Sequence, residues 1–310
     1  MREIIFLEPV FKSMIWGGDK LATDFGYTIP SDHTGECWAI SAHKNGDCTI
    51  KGGTYDGAAL SWLWENHREL FGNDEGALFP LLVKIIDAKM DLSIQVHPND
   101  DYAGSKENGS LGKTECWYIL NCEEDSRIVI GHNARDKKEL KQMIEEGRWK
   151  ELIRVLPIKQ GDFFQIDPGT VHAIKAGTVI LETQQSSDIT YRLYDYDRLD
   201  NGKPRELHIE KSIDVISCPH EDRKVSAKVE HFENYDAEEL IRCDYYTVEK
   251  IQIHGSAQFV QDQSFLNISI LDGSGDIDGI AIKKGDHFIL PYEYGTYQLK
   301  GNMTYIASHI

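Results

Sequence analysis

The sequence predicts a mainly β protein, an antiparallel sandwich or barrel, and three observations carry that expectation. The apolar runs are short and rich in Ile, Val, Phe and Tyr. Gly, Asp and Asn turns separate them too closely for the crossover helices of parallel βαβ units. Only two segments depart from this pattern with a helical period. At 310 residues, with 41% hydrophobic and 27% charged content, the chain can build a large core and divide into two domains.

In chain order, the expected strands cover residues 37–41, 92–97, 115–120, 127–131, 162–166, 179–183 and 191–194. The first helical segment falls near 57–71, where Leu60, Leu63, Trp64 and Leu70 share a face. The second falls near 136–154, with Asp136 as N-cap and Leu140, Met143, Ile144, Leu152 and Ile153 on its apolar side. Its Lys/Glu-rich remainder reads as a solvated face. The charged stretch 220–244 is poor in β pattern and reads as a connection. That gives a domain of residues 1–240 and a C-terminal β domain of residues 241–310. Gly161-Asp162-Phe163-Phe164-Gln165-Ile166-Asp167-Pro168 resembles Gly285-Asp286-His287-Phe288-Ile289-Leu290-Pro291, each a Gly-Asp turn, a short strand and a proline corner. The first copy runs on to His172, whereas the second has no histidine after its corner.

Composition excludes several function classes. A formal net charge of −18 argues against broad binding of nucleic acid or anionic membranes. An anionic small molecule would need a local cluster of Lys and Arg. The first residues lack signal-peptide architecture, and no apolar run is long enough to span a bilayer. Cys37, Cys48, Cys116, Cys122, Cys218 and Cys243 form no Cys-x-x-Cys pair, which suits a reducing cytoplasm and argues against a thiolate zinc site.

Strand alternation places metal-type side chains together. In Ile94-Gln95-Val96-His97-Pro98, Gln95 and His97 share one face and the aliphatic residues the other, with Pro98 ending the strand. Glu115 begins the apolar strand after Gly112-Lys113-Thr114, and His172 follows the turn at Asp167-Pro168-Gly169. Two imidazoles, a carboxylate and an amide oxygen form a mixed N/O set suited to zinc or another first-row divalent ion. Each residue also has a plain alternative: a strand-end surface histidine, a turn-capping glutamate, a histidine bonded to a loop carbonyl. The set taken together favours ligands.

Seven motifs in order resemble one family. They are Trp16-Gly17-Gly18, Gly35-Glu36-Cys37-Trp38-Ala39-Ile40-Ser41, Phe79-Pro80-Leu81-Leu82-Val83-Lys84, Gln95-Val96-His97-Pro98, Gly112-Lys113-Thr114-Glu115, Pro168-Gly169-Thr170-Val171-His172, and Glu182 followed by Tyr191-Arg192-Leu193. Across residues 5–215 the chain resembles a type I mannose-6-phosphate isomerase of the short bacterial form, a zinc enzyme of the cupin superfamily. Gly-Lys-Thr-Glu stands where the long forms have Lys-Pro-Glu, and Lys113 keeps its place two residues before Glu115.

The resemblance implies a cupin (jelly-roll) barrel with a small helical insertion and a second, degenerate cupin-like β domain without ligands. It implies one Zn2+ per chain on Gln95, His97, Glu115 and His172, with the amide oxygen of Gln95 the weakest donor. The expected reaction interconverts mannose 6-phosphate and fructose 6-phosphate through an enediol. Arg192, Lys113 and Glu182 are the candidate catalytic residues, and Trp16, Lys113 and Arg192 the candidate substrate contacts. Lys113, Glu182 and the histidines all remain open as the base. Lys84 and Arg198 are further cations, Arg198 expected to be a solvated surface charge. The partner is a small-molecule sugar phosphate; the oligomeric state is not legible. A cupin iron dioxygenase and a non-catalytic sugar-phosphate-binding cupin are the alternatives.

Overall fold

The computed structural model describes residues 3–225 and 227–310. Three antiparallel sheets carry the architecture. A six-stranded sheet runs Phe163–Ile166, Glu115–Cys122, Thr178–Gln185, Leu81–Ala88, Val10–Gly18, Thr34–Ile40. A five-stranded sheet runs Ile153–Pro157, Arg127–His132, His172–Ile174, Ile94–Val96, Tyr191–Tyr194. A core of Trp16, Ile86, Trp117, Ile128, Ile174 and Ile180 draws side chains from both and packs them into a barrel.

The third sheet has nine strands and is built mostly from the C-terminal part. Its path is Lys228–His231, Tyr235–Arg242, Thr247–Gln261, Gly295–His309, Phe265–Ile277, His287–Pro291, Ile5–Glu8, Thr49–Ile50, with Ile280–Lys283 paired to Phe265–Ile277. The expected connection at 220–244 is thus corrected, since two of these strands lie within it. Lys228–His231 is the exposed edge strand, where charge is tolerated and guards against edge-to-edge pairing, while Tyr235–Arg242 lies one place in and buries Leu240 and Ile241. A cut at residue 240 falls inside Tyr235–Arg242. The N-terminal strand is also stitched into this sheet, with Ile5 opposite Ile289 and Leu7 opposite Ile50. One apolar cluster holds Cys37, Leu81 and Leu181 together with Leu240, Phe265 and Ile289, so the sheets share a core.

The two helical segments form where the period placed them, in shorter pieces. Leu60–Asn66 is an α-helix with Leu60, Leu63 and Trp64 buried, followed by a 3-10 turn Arg68–Phe71. Lys137–Glu145 starts at Asp136, whose carboxylate accepts the Glu139 amide at 2.8 Å. Gly147, at φ 65°, separates it from Trp149–Leu152, and Ile153 already belongs to a strand rather than the helix. No helix among the described residues is long and apolar enough to cross a membrane.

The internal repeat has matching geometry in both copies. Gly161 and Gly285 sit at φ 88° and 90°, and each donates its amide to an isoleucine carbonyl, Ile119 or Ile270, at 2.9 Å. Asp162 and Asp286 each accept the amide three residues back, at 2.9 and 2.8 Å. The same turn thus serves the barrel and the C-terminal sheet, but Phe163 in one is replaced by the buried His287 in the other.

Candidate functional site

Two rows of side chains meet inside the first barrel. Register across the six-stranded sheet aligns Trp38 with Lys84, Lys84 with Glu182, and Glu182 with Trp117. On the five-stranded sheet His172 lies opposite Gln95, and Gln95 opposite Arg192. Alternation does the rest, turning Tyr191 and Leu193 into the apolar core and Arg192 toward the cavity. The cavity is about 250 Å³, and Trp16, Trp38, Gln95, Lys113, Glu182 and Arg192 are among its lining.

At its floor His97, Glu115 and His172 are buried and offer ligand atoms that all lie within 4.8 Å of one another. His97 Nδ1 donates to the Ile189 carbonyl and His172 Nδ1 to the Thr170 carbonyl, each at 2.8 Å. A carbonyl can only accept, so both Nε2 atoms carry lone pairs. These two lone pairs sit 3.1 Å apart, and Glu115 oxygens lie 3.5 and 3.4 Å from them. Converging lone pairs and a carboxylate repel one another unless a cation lies between them. Lys113 Nζ, 2.7 Å from Glu115 and 3.3 Å from His97 Nε2, brings one cation to the edge of this cluster but leaves His172 Nε2 and the other Glu115 oxygen facing each other uncompensated. The donor set therefore fits a metal ion. Among the described residues it is the one such His/Cys/Asp/Glu group. The Gln95 amide is 3.3 Å from His172 Nε2, and a half-turn of the amide would present its oxygen to the same point.

The charges around this floor are strongly perturbed. Burial, then Lys113, pushes His97 down to about 3, and burial lowers His172. Burial opposes the Glu115 carboxylate, but Lys113 and His97 hold it well below the usual carboxylate range. Burial likewise opposes the Lys113 ammonium, yet Glu115 and Glu182 keep its pKa above the ordinary lysine value. Glu182 goes the other way: burial and the nearby Glu115 charge raise it. Its Oε2 accepts the Trp117 indole N–H at 3.0 Å. Its Oε1 has no hydrogen bond, with Lys84 and Lys113 at 3.4 and 3.7 Å.

Each residue singled out from the sequence reaches this cavity or its floor, with one exception. Arg198 was expected in solvent but is 18% exposed, donating to Asp195 and to the Asp91 carbonyl, each at 2.5 Å. A turn folds its polar surroundings back onto the barrel. Sequence reasoning missed Arg205, Asp188, Thr190 and Glu36 in the lining. Glu36 and Trp38 lay inside a quoted motif, and Trp38 donates to Glu36 at 2.6 Å. Arg205 had no local signal. In the C-terminal sheet, His287 bonds Ser269 at 2.9 Å and Tyr27 at 2.7 Å, a satisfied core histidine.

Comparison with known proteins agrees with this arrangement. Residues 4–119 match the phosphomannose isomerase type I catalytic domain, and residues 236–310 the mannose-6-phosphate isomerase cupin domain. The mannose-6-phosphate isomerase ManA of Bacillus subtilis is 54% identical over 313 residues, covering 99% of each chain. That of Streptococcus mutans is 47% identical over 314 residues, covering 100% of this chain and 99% of the other. A crystal structure of mannose 6-phosphate isomerase from Bacillus subtilis matches with a TM-score of 0.98 at 51% identity, covering 99% of both chains. A variant of phosphomannose isomerase from Salmonella typhimurium, 15% identical over 99% of both chains with a TM-score of 0.79, shares the fold. With these motifs, this barrel and relatives matched over their whole length, the chain belongs to the type I mannose-6-phosphate isomerase family.

Proposed function

We propose that the chain interconverts mannose 6-phosphate and fructose 6-phosphate, with one zinc ion held by His97, Glu115, His172 and the Gln95 amide oxygen. The observation that carries this reading is the convergence of two imidazole lone pairs and a carboxylate at the floor of a cavity lined by cations. When bound, the ion supplies a Lewis acid that offsets negative charge developing on a sugar oxygen. Its N/O ligand set suits zinc and leaves coordination open. Six unpaired cysteines support a reducing, cytoplasmic setting.

The reaction moves one proton between C1 and C2 of the open-chain sugar, and one between their oxygens, by way of an enediol. Glu182 is the proposed base. It lines the cavity, its Oε1 is free of hydrogen bonds, and Trp117 holds its other oxygen in place. It takes the proton from one carbon and returns it to the neighbour. Lys113 is less suited to that role, because two carboxylates hold its ammonium charged. It serves instead as a donor to the sugar oxygen that becomes negative. Trp16 forms an apolar wall that excludes water. An iron dioxygenase gives Lys113, Glu182 and Arg192 no work.

A coupled isomerase assay with metal analysis tests the reading. Zinc-loaded protein should turn over mannose 6-phosphate, and chelated protein should not. Full activity in thoroughly metal-free protein would sink the metal assignment, and inactive zinc-loaded protein would sink the isomerase one. Glu182→Gln should abolish turnover and keep the metal; an active variant removes Glu182 as base.

A further inference from the structure

Four cations line the cavity: Lys84, Lys113, Arg192 and Arg205. They differ in how far protein carboxylates already neutralise them. Lys84 is 3.4 Å from Glu182, and Lys113 is 2.7 Å from Glu115 and 3.7 Å from Glu182. Two buried lysines against two buried carboxylates leave that end balanced.

The arginine end is not balanced. No carboxylate of the described residues lies within ion-pair distance of Arg192, whose Nη1 donates to the Glu206 carbonyl at 2.7 Å. Its Nε is buried and has no partner at all. Among the described residues Asp195, 4% exposed, is the buried carboxylate at this end, shared by Arg198 and Arg205, whereas Asp188 in the same lining is partly exposed and engaged by Asn45 and His43. The Glu206 side chain is 82% exposed, so water screens it. Three guanidinium groups thus face one buried carboxylate, and leaving a buried charge uncompensated is costly. An anion entering from the cavity would relieve it.

Arg205 is built to meet such an anion. Its Nε and Nη2 donate to the two Asp195 oxygens at 2.7 and 2.6 Å, which fixes the plane of the fork. Nη1 has no protein partner among the described residues. The chain from Asp195 to Arg205 closes through a small hairpin, Leu199–Asp200 against Lys203–Pro204. Asp195 grips Arg205 across that hairpin, so it acts as a strap that carries a cation over the cavity.

We propose that the Arg192–Arg205 end receives the phosphate of the substrate, with Arg205 a binding residue held in place by Asp195. This rests on the sugar-phosphate reading above and adds the direction in which the sugar lies: phosphate toward the strap, reacting carbons toward Glu182.

The test compares wild type, Arg205→Met and Arg205→Lys by kinetics, by inhibition with inorganic phosphate and by calorimetric titration with inorganic phosphate. Losing one charge-assisted fork should raise both KM and the phosphate inhibition constant on the order of 10- to 100-fold, with kcat within a few-fold. Arg205→Lys should recover part of the phosphate affinity. An unchanged phosphate constant alongside a lower Tm would mean that Arg205 only braces Asp195, and the proposal falls. It falls equally if Lys84→Met weakens phosphate and Arg205→Met does not. A protein that binds phosphate through Arg205 but turns over no mannose 6-phosphate would sink the isomerase reading and leave the anion site standing.

Discussion

Arg192 shows what a single position can decide. It is half-buried among like charges and lies opposite Gln95 in the register. Arg192→Ala is expected to lose on the order of 100-fold or more in kcat/KM, the scale of one buried charge-assisted stabiliser. Metal content should not change, because its guanidinium is not a ligand; a near-wild-type enzyme would refute the role. His172→Ala should behave in the opposite way, losing the ion and activity together, as checked by metal analysis. Alternation and proline corners made Gln95, His97, His172 and Arg192 legible in the sequence, since each sits on a short strand or at its end. Arg205 was not legible. It comes after a polar run that reads as a surface loop, and only the Asp195 pairing across a turn brings it to the cavity.

Among the elements, the Trp16-Gly17-Gly18 motif acquires a physical reason. A Cβ on Gly17 would lie 2.4 Å from the Gly35 amide nitrogen, and one on Gly18 2.5 Å from Asp87 Oδ2. A Cβ on Gly35 would lie 2.5 Å from the Trp16 ring. The strands Val10–Gly18 and Thr34–Ile40 approach closely here, and only glycine allows it. Gly17→Ala meets backbone and should destabilise by about 1–3 kcal/mol or more in urea unfolding. Gly35→Ala meets a cavity-wall ring, so it should raise KM more than it lowers kcat. Asp136→Ala, remote from the site, should cost about 1 kcal/mol of stability with activity unchanged. The seven strands expected from their turns and alternation all form. Tyr235–Arg242 and the edge strand Lys228–His231 were not readable, because the long Thr247–Gln261 orders the first by pairing, and the first in turn orders the second, which their charged sequences do not signal.

For the molecule as a whole, metal and protons are both linked to stability. An ion that binds only the folded chain stabilises it, by about 4 kcal/mol at a thousandfold excess over Kd, so chelation should lower Tm. The ion should titrate at one per chain; a second tight site lined by His287 or His309 would overturn the ligand-free reading of the C-terminal sheet. His287 also sets a pH dependence independent of metal. Burial pushes it down to about 3, against about 6.5 in an unfolded chain. Between those values the unfolded state takes up a proton that the folded state refuses. Its contribution is therefore intact above about pH 6.5 and lost as pH falls below it, by about 1.4 kcal/mol per unit. Urea midpoints at pH 7 and 5 should converge for His287→Gln relative to wild type; an identical pH slope would contradict this. The pairing of Ile5–Glu8 with His287–Pro291 carries a last consequence, for the order of events on the ribosome. Leu7 and Glu8 can pair with Ile50 and Thr49 early, but the edge at Ile5 and Phe6 must wait for its partners until nearly all of the polypeptide has been synthesised. Native closure of that sheet is therefore a late, non-local step. Nascent chains arrested before residue 287 should stay open to protease around Ile5 and Phe6, however well the first barrel has already folded.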